Sequence, residues 1–346
     1  MHQINFLEIV GTAWSAYDAS RPIQHIEDIS AKVSTNHVYR ISLKEGVFVI
    51  GKLSYFGRHE HFVEDHTIIN SLSNNLPNPF ENVLARSLMK GNQLFVYRHQ
   101  DTLIDAWVVF YRPITIQERF PRKLDEHQIA LFGREMAHFH KACSSIRNTL
   151  PTSSKTLHSD IEHLLELVDS DFGSYEHRGK ERMIHTQCDL LFKNLETLGF
   201  QKLPKIPIFV DWNIGNFSVT KDLQLFSRWD YDWFRISSRI LDFYFCSRVV
   251  SSVGDRTVFT YNIGPLMEDR FFLFLKNYHQ IFPLTEIEIH LLKEAYRFFI
   301  LNYVIKDGRY FFHEIYASKL QLLAYSTYFD SIEKEFDGES LWKAIQ

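Results

Sequence analysis

One irregular stretch constrains this chain more than any other. From about residue 125 to 332 the apolar residues recur at helical spacing, over 125–144, 160–170, 180–198, 239–252, 265–281, 286–304 and 311–332. Residues 206–230 break that pattern. They read as three short strands, 206–211, 216–220 and 223–230, with Lys221-Asp222 as a turn. Any fold must therefore set small hairpins inside a helical body. Polar-tipped loops held in that way are where function concentrates.

The first third is mixed. Residues 6–18 carry Phe6, Ile9, Val10, Ala13 and Trp14 at helical spacing, and 60–73 do the same with Phe62, Ile68, Ile69 and Leu72. Two strands are expected at 37–43 and 47–53, joined as a hairpin through Lys44-Glu45-Gly46. Shorter strands are expected near 83–90, 93–98 and 105–111. Arg112-Pro113-Ile114 is the expected hinge, which divides the chain into residues 1–112 and 113–346.

Composition narrows the choice. The chain has 30 Phe, 16 Tyr and 6 Trp, enough for a large aromatic core. It has only 14 Gly, which weighs against a glycine-built phosphate loop. The net charge of −4 gives no basic surface for nucleic acid. Cys143, Cys188 and Cys246 form no C-x-x-C pair, so neither a disulfide framework nor a zinc site is expected. The first residues lack a basic, then apolar, leader pattern. The apolar runs around 106–111 and 298–305 are far shorter than the ~20 residues of a membrane span. No membrane partner and a cytoplasmic setting are expected. The oligomeric state is not legible.

The chemistry concentrates in 211–242. Asp211-Trp212-Asn213-Ile214-Gly215-Asn216 places an Asp five residues before an Asn. Protein-kinase catalytic loops use that offset. The Asp takes the acceptor hydroxyl's proton, and the Asn offers an oxygen to Mg²⁺. Asp230, at the end of the next hairpin, is the candidate second metal ligand, since Mg²⁺ prefers hard oxygen donors.

These residues resemble the aminoglycoside phosphotransferase and choline kinase-like superfamily, whose fold is protein-kinase-like. The family's H-G-D-x-x-x-x-N loop is occupied by Phe209-Val210-Asp211-Trp212-Asn213-Ile214-Gly215-Asn216. Its next motif, with a further Asp twelve residues on, matches Trp229-Asp230-Tyr231-Asp232 and Asp242. Residues 131–140, ending Ala137-His138-Phe139-His140, resemble the family's L-G-x-x-L-A-x-L-H helix. Residues 34–41 resemble its phosphate-loop strand, and Phe48-Val49-Ile50-Gly51-Lys52 the strand that presents the phosphate lysine. The resemblance runs in family order from 34 to about 250.

It implies an α+β, two-lobe fold with a small antiparallel-sheet lobe and a large, mainly helical lobe. The implied activity is ATP- and Mg²⁺-dependent phosphorylation of a hydroxyl on a small molecule, such as a sugar, an aminoglycoside-like compound or an amino alcohol. By position, Asp211 activates the acceptor, Asn216 and Asp230 hold Mg²⁺, and Asp242 buttresses the loop. Lys52 reaches the nucleotide phosphates, and Asn36 lies in the loop that covers them. The acidic partner of Lys52 is expected in the helix at 60–73, where Asp65, Glu64 and Glu60 all remain open.

The chain departs from the family in two places. Phe209-Val210 replaces His-Gly, and the phosphate loop has no glycine. These leave a nucleotide-binding pseudokinase as the alternative, while the short 230–242 span leaves little room for a protein kinase's activation segment. Asp171-Phe172-Gly173 precedes the catalytic Asp and is rejected as the metal motif. The pairs His59/His61 and His138/His140 have too few partners for zinc. Gly133 reads as close helix packing. Arg228, Arg235 and Arg239 are expected either to meet an anionic group or to bridge to Asp232 or Asp242. Asp269, Glu294, Asp307, His313 and Glu314 are the polar residues to look at in the acceptor region.

Overall fold

The structure is a computed structural model, and it describes residues 4–31, 37–171, 176–253 and 260–346. Helix α1 (Phe6–Asp18) begins where the Asn5 side chain accepts the Glu8 amide, and it buries Ile9, Val10, Ala13 and Trp14. Strands β1 (Ile23–Asp28), β2 (His37–Leu43) and β3 (Phe48–Ser54) follow, then helix α2 (His59–Asn75). A two-residue pair, β4 (Met89–Lys90) and β5 (Gln93–Leu94), precedes β6 (Val96–Gln100) and β7 (Asp105–Tyr111). The sheet order is β1-β2-β3-β7-β6, antiparallel throughout.

The expected 37–53 hairpin forms, with Ile41 opposite Val49 and Gly46 at φ +85° in the turn. Strand β1 escaped the sequence reading. Its apolar residues, Ile23 and Ile26, lie three apart and so do not alternate. A bulge between Ile23 and His25 shifts the register and lets both face the core.

After β8 (Glu118–Arg119) the chain is mainly helical. Helix α3 (Glu126–Ile146) opens on a reciprocal cap between Asp125 and Gln128, and α4 (Leu157–Val168) on one between Thr156 and Ser159. Helix α5 is Glu181–Thr197. Then come β9 (Ile206–Ile208), β10 (Phe217–Val219), β11 (Leu225–Arg228) and β12 (Arg235–Ser237). They form two small sheets, β11-β10-β8 and β12-β9. Helices α6 (Phe243–Val250) and α7 (Asp269–Ile281) follow.

The helix expected over 286–304 divides into α8 (Glu286–His290), α9 (Leu292–Phe299) and a π-helical turn, Ile300–Lys306. The helix expected over 311–332 likewise divides into α10 (Gly308–Phe311), α11 (Glu314–Leu323), a second π-helical turn and α12 (Phe329–Glu335). A last helix, α13 (Gly338–Ile345), was not foreseen; Asp337 caps it by accepting the Ser340 amide at 3.0 Å. No helix among the described residues is long and apolar enough to cross a membrane.

Two apolar cores result. One joins α1 to the five-stranded sheet, from Ile9 to Phe110. The other spans the helical body but also takes in Ile68, Ile69 and Leu72 of α2. Helix α2 is therefore packed on the larger core. The backbone joins the halves as well: Arg228 donates to the Val83 carbonyl at 2.6 Å and accepts from the Ala85 amide at 2.9 Å.

Gly133 lets α3 lie against α7. A Cβ there would sit 2.5 Å from the Phe274 carbonyl oxygen, which is backbone and cannot swing aside. Gly133→Ala is expected to destabilise the fold by about 1–3 kcal/mol, the usual cost of overpacking. Urea unfolding of the two proteins checks it.

Candidate active site

Strand β9 runs into Phe209-Val210-Asp211, and the backbone there is strained. Val210 has φ +60°, a region that a β-branched residue avoids. Such a conformation costs on the order of 1–3 kcal/mol and persists only where its surroundings enforce it. Asp242 does so. Its Oδ1 accepts from the amides of Phe209 at 3.1 Å and Val210 at 2.6 Å. Its Oδ2 accepts from His140 Nε2 at 2.9 Å, and His140 Nδ1 accepts from the Tyr278 hydroxyl at 2.8 Å. The Asp242 and His140 side chains are both fully buried.

Arg228 supports the loop from the other side. Its guanidinium lies against the rings of both Phe209 and Trp212, at 4.5 and 4.6 Å. Its Nη2 donates to the Asp211 carbonyl at 3.0 Å. The loop is thus held through its main chain, and the Asp211 carboxylate is not consumed by this contact.

Asp211 and Asn216 come together. Asn216 Nδ2 donates to Asp211 Oδ2 at 2.9 Å, and the Asn213 amide donates to Oδ1 at 3.2 Å. The Asn216 side-chain oxygen is the end of the amide left for another contact. The β10–β11 hairpin then delivers Asp230, which also holds a left-handed conformation, at φ +66°. Lys52, on β3, places Nζ 3.0 Å from Asp230 Oδ1 and also bonds Asp232 Oδ1. Burial disfavours the Lys52 charge, but the two carboxylates outweigh it and hold its pKa above the usual lysine value. Burial likewise opposes the Asp230 charge, and Lys52 reverses the balance and keeps Asp230 anionic.

Lys52 does not take the acidic partner expected in α2; it pairs with Asp230 and Asp232. Among the described residues, no α2 carboxylate pairs with it. Asp65 bonds Lys155, which enters from the helical body and also donates to the Phe234 carbonyl at 2.7 Å. Burial pushes the Asp65 carboxyl up to about 6, against the pull of Lys155. Glu64 accepts from the Ser153 hydroxyl and the Ser154 amide, at 2.8 and 2.7 Å. Glu60 is exposed beside Arg98. The inward side of α2 carries His66 instead, which donates to the Phe62 carbonyl and accepts from the Tyr111 hydroxyl. Burial keeps it neutral, with its pKa down to about 3.

Arg235 pairs with Asp160 and Arg239 with Glu288, so neither bridges to Asp232 or Asp242. His140 is the partner of Asp242, while His138 is exposed. Asn36 and the rest of the phosphate-loop segment 34–36 lie outside the described residues, as do Phe172 and Gly173. Gly215 keeps open space around it. The left-handed positions of the site are taken by Val210 and Asp230.

A cavity of about 640 Å³ opens beside Tyr231 and Asp232. Asp211 does not line it; Asp232 is where it meets the carboxylate cluster. Its walls come from α2, α4 and the π-helical turn Ile300–Lys306, with Lys155, Asp160, Arg235, Lys306 and Asp307 among them. Of the acceptor-region residues, Asp307 lines it, whereas Glu294 is buried on Arg297 and Asn194. Asp269, His313 and Glu314 do not line it. Lys155, Asp160 and Lys306 escaped the sequence reading, because nothing in the local pattern marks residues that meet only in the folded chain.

No family model and no curated protein matches the chain in sequence. Solved structures do match in shape. An amicoumacin kinase, solved in complex with AMP-PNP, Ca²⁺ and Ami, aligns with TM-score 0.65 at 14% identity, over 98% of this chain and 97% of that one. A microcompartment-associated aminopropanol kinase aligns with TM-score 0.63 at 16% identity, over 94% and 98%. The GDP complex of an aminoglycoside 2'-phosphotransferase aligns with TM-score 0.55 at 13% identity, over 95% and 99%. The chain therefore has the protein-kinase-like fold of these small-molecule phosphotransferases, with a sequence far from theirs.

Proposed function

We propose that this chain transfers the γ-phosphoryl group of ATP to a hydroxyl of a small molecule, with Mg²⁺ as cofactor. Residues 1–112 hold the nucleotide and 113–346 the acceptor. The observation that carries this reading is the enforced loop: Asp242 and Arg228 fix a strained turn that sets Asp211 against Asn216, with Asp230 and Lys52 alongside.

The residues fit both cofactors. Asp230 offers a carboxylate and Asn216 an amide oxygen, the hard donors that Mg²⁺ prefers. When bound, the ion offsets charge on the β- and γ-phosphates. Lys52 exchanges its contact with the carboxylates for the α- and β-phosphates. Asp211 takes the proton as the acceptor oxygen bonds to phosphorus and ADP leaves. The Asn213 amide and Asn216 keep that carboxylate aimed. In a loose transition state such positioning supplies much of the catalysis.

The pseudokinase reading, opened by Phe209-Val210 and the glycine-free phosphate loop, gains one observation from the structure, the absence of an α2 carboxylate on Lys52 among the described residues. Calorimetric titration with AMP-PNP separates the two. Mg²⁺ is expected to tighten wild-type binding by about tenfold or more, equivalent to about 1.4 kcal/mol. In Asp230→Asn that gain is expected to vanish. Equal, Mg²⁺-independent affinity in both proteins overturns the metal assignment.

A further inference from the structure

Two neighbouring carboxylates of α2 meet three consecutive residues of the helical half. Glu64 accepts from the Ser153 hydroxyl at 2.8 Å and the Ser154 amide at 2.7 Å, and Asp65 accepts from the Lys155 ammonium. The Lys155 amide in turn donates to the Ser153 hydroxyl oxygen at 3.3 Å. Lys155 is therefore fixed at its main chain and at its tip. Its side chain and that of Asp65 are only 11% and 9% exposed, so water competes little for the pair.

An ammonium group carries three donors. Lys155 gives another to the Phe234 carbonyl, at 2.7 Å. That carbonyl belongs to the turn that bears Asp230 and Asp232. The Phe234 amide donates back to the Tyr231 carbonyl at 3.0 Å, which closes the turn. At the start of the turn, the Tyr231 hydroxyl lies 3.1 Å from the Ala85 carbonyl and 3.0 Å from the Arg228 carbonyl. Tyr231 thus holds one end, and Lys155 holds the other and ties it to α2.

The second tie matters once Lys52 moves. Here Lys52 bridges Asp230 and Asp232. Serving the nucleotide phosphates takes it off both carboxylates. Asp230 stands at φ +66°, a conformation that its surroundings must enforce. The Lys155 contact is made to a main-chain oxygen and uses neither carboxylate of the turn. It stays in place whether Lys52 sits on carboxylate or on phosphate.

We propose that Lys155 is a positioning residue for the metal site. Anchored on Asp65, it holds the 230–234 turn so that Asp230 keeps its aim at Mg²⁺ after Lys52 has turned to the phosphates. The α2 carboxylate that does not reach Lys52 acts on the site through this second lysine. The proposal rests on the phosphotransferase reading.

Calorimetric titration of the full chain with AMP-PNP, with and without Mg²⁺, tests it. Lys155→Met is expected to bind AMP-PNP alone within about twofold of wild type, and to retain less than about threefold of a Mg²⁺ gain that is about tenfold or more in wild type. Lys155→Arg keeps the charge and the donors and is expected to restore the gain. A merely structural role lowers stability and leaves the Mg²⁺ gain at its wild-type value. Lys155→Met combined with Asp65→Asn also removes the buried carboxylate's charge, and it decides where the single variant fails to fold. A full gain in the folded Met variant, an equal loss of affinity with and without Mg²⁺, or no rescue by Arg overturns this proposal alone. A wild type whose affinity ignores Mg²⁺ removes the phosphotransferase reading and this proposal with it.

Discussion

Asp211→Asn is expected to lower the rate of phosphoryl transfer by about 10²–10⁴-fold, the usual worth of a positioned general base. The change keeps shape and removes only the charge and the proton-accepting capacity. The loop is expected to stay in place. Arg228 grips the Asp211 carbonyl, and Asp242 grips the two preceding amides; neither contact involves the altered carboxylate. The Asn213 amide keeps an oxygen to donate to. Lys52 and Asp230 are unchanged, so nucleotide affinity is expected to stay within about twofold, less than 0.5 kcal/mol. Steady-state rates and calorimetric titration with AMP-PNP measure the two effects on one preparation. A variant that loses nucleotide binding along with turnover places Asp211 in the nucleotide site and not at the acceptor.

Asp242→Ala is expected to be the most destabilising single change, at about 3–5 kcal/mol, since three buried donors are left unsatisfied at about 1–3 kcal/mol each. Three donors lose their acceptor at once: the amides of Phe209 and Val210 and the ring of His140. All lie in the interior, where water does not replace the lost bond. The left-handed Val210 then has nothing to enforce it, and the turn before Asp211 relaxes. Urea unfolding gives the stability change. A loss under about 1 kcal/mol contradicts the claim that Asp242 enforces the loop. Residual activity, measured well below the unfolding midpoint, is expected to fall as well, because the strained turn sets where Asp211 points.

The parts of the site that sequence revealed lie close together in the chain. Asp211 and Asn216 share one loop, so their offset of five residues could be read without knowing the fold, and they hydrogen-bond at 2.9 Å. Asp242 was found by its spacing from Asp230 in a family pattern, not by any local property. The partner of Lys52 was misplaced because the choice is tertiary. Asp65 turns to Lys155, ninety positions away along the chain, and that leaves Lys52 to Asp230 and Asp232. The strain at Val210 was equally hidden. Valine is a poor choice for positive φ, and only a carboxylate thirty-two positions on makes it hold.

The fold shows the same division. Periodicity marked α1, α2, α3 and the 37–53 hairpin well, because each has one apolar face along a regular element. It missed β1, where a bulge hides the alternation, and it ran α8, α9 and the π-helical turn together. In the last case no Gly or Pro falls between residues 286 and 306, so nothing local marks the breaks. Glycine is scarce, and the left-handed positions around Asp211 are taken by Val210 and Asp230 instead.

The proposed function turns on phosphoryl transfer from ATP to an alcohol at Asp211. The most direct test supplies ATP labelled at the γ-phosphate, with Mg²⁺ and a panel of sugars, polyols and amino alcohols, to wild type and Asp211→Asn side by side. The expected result is a labelled phosphate ester with the wild type and almost none with the variant. Label that stays on ATP in every wild-type reaction, or equal transfer by both proteins, contradicts it.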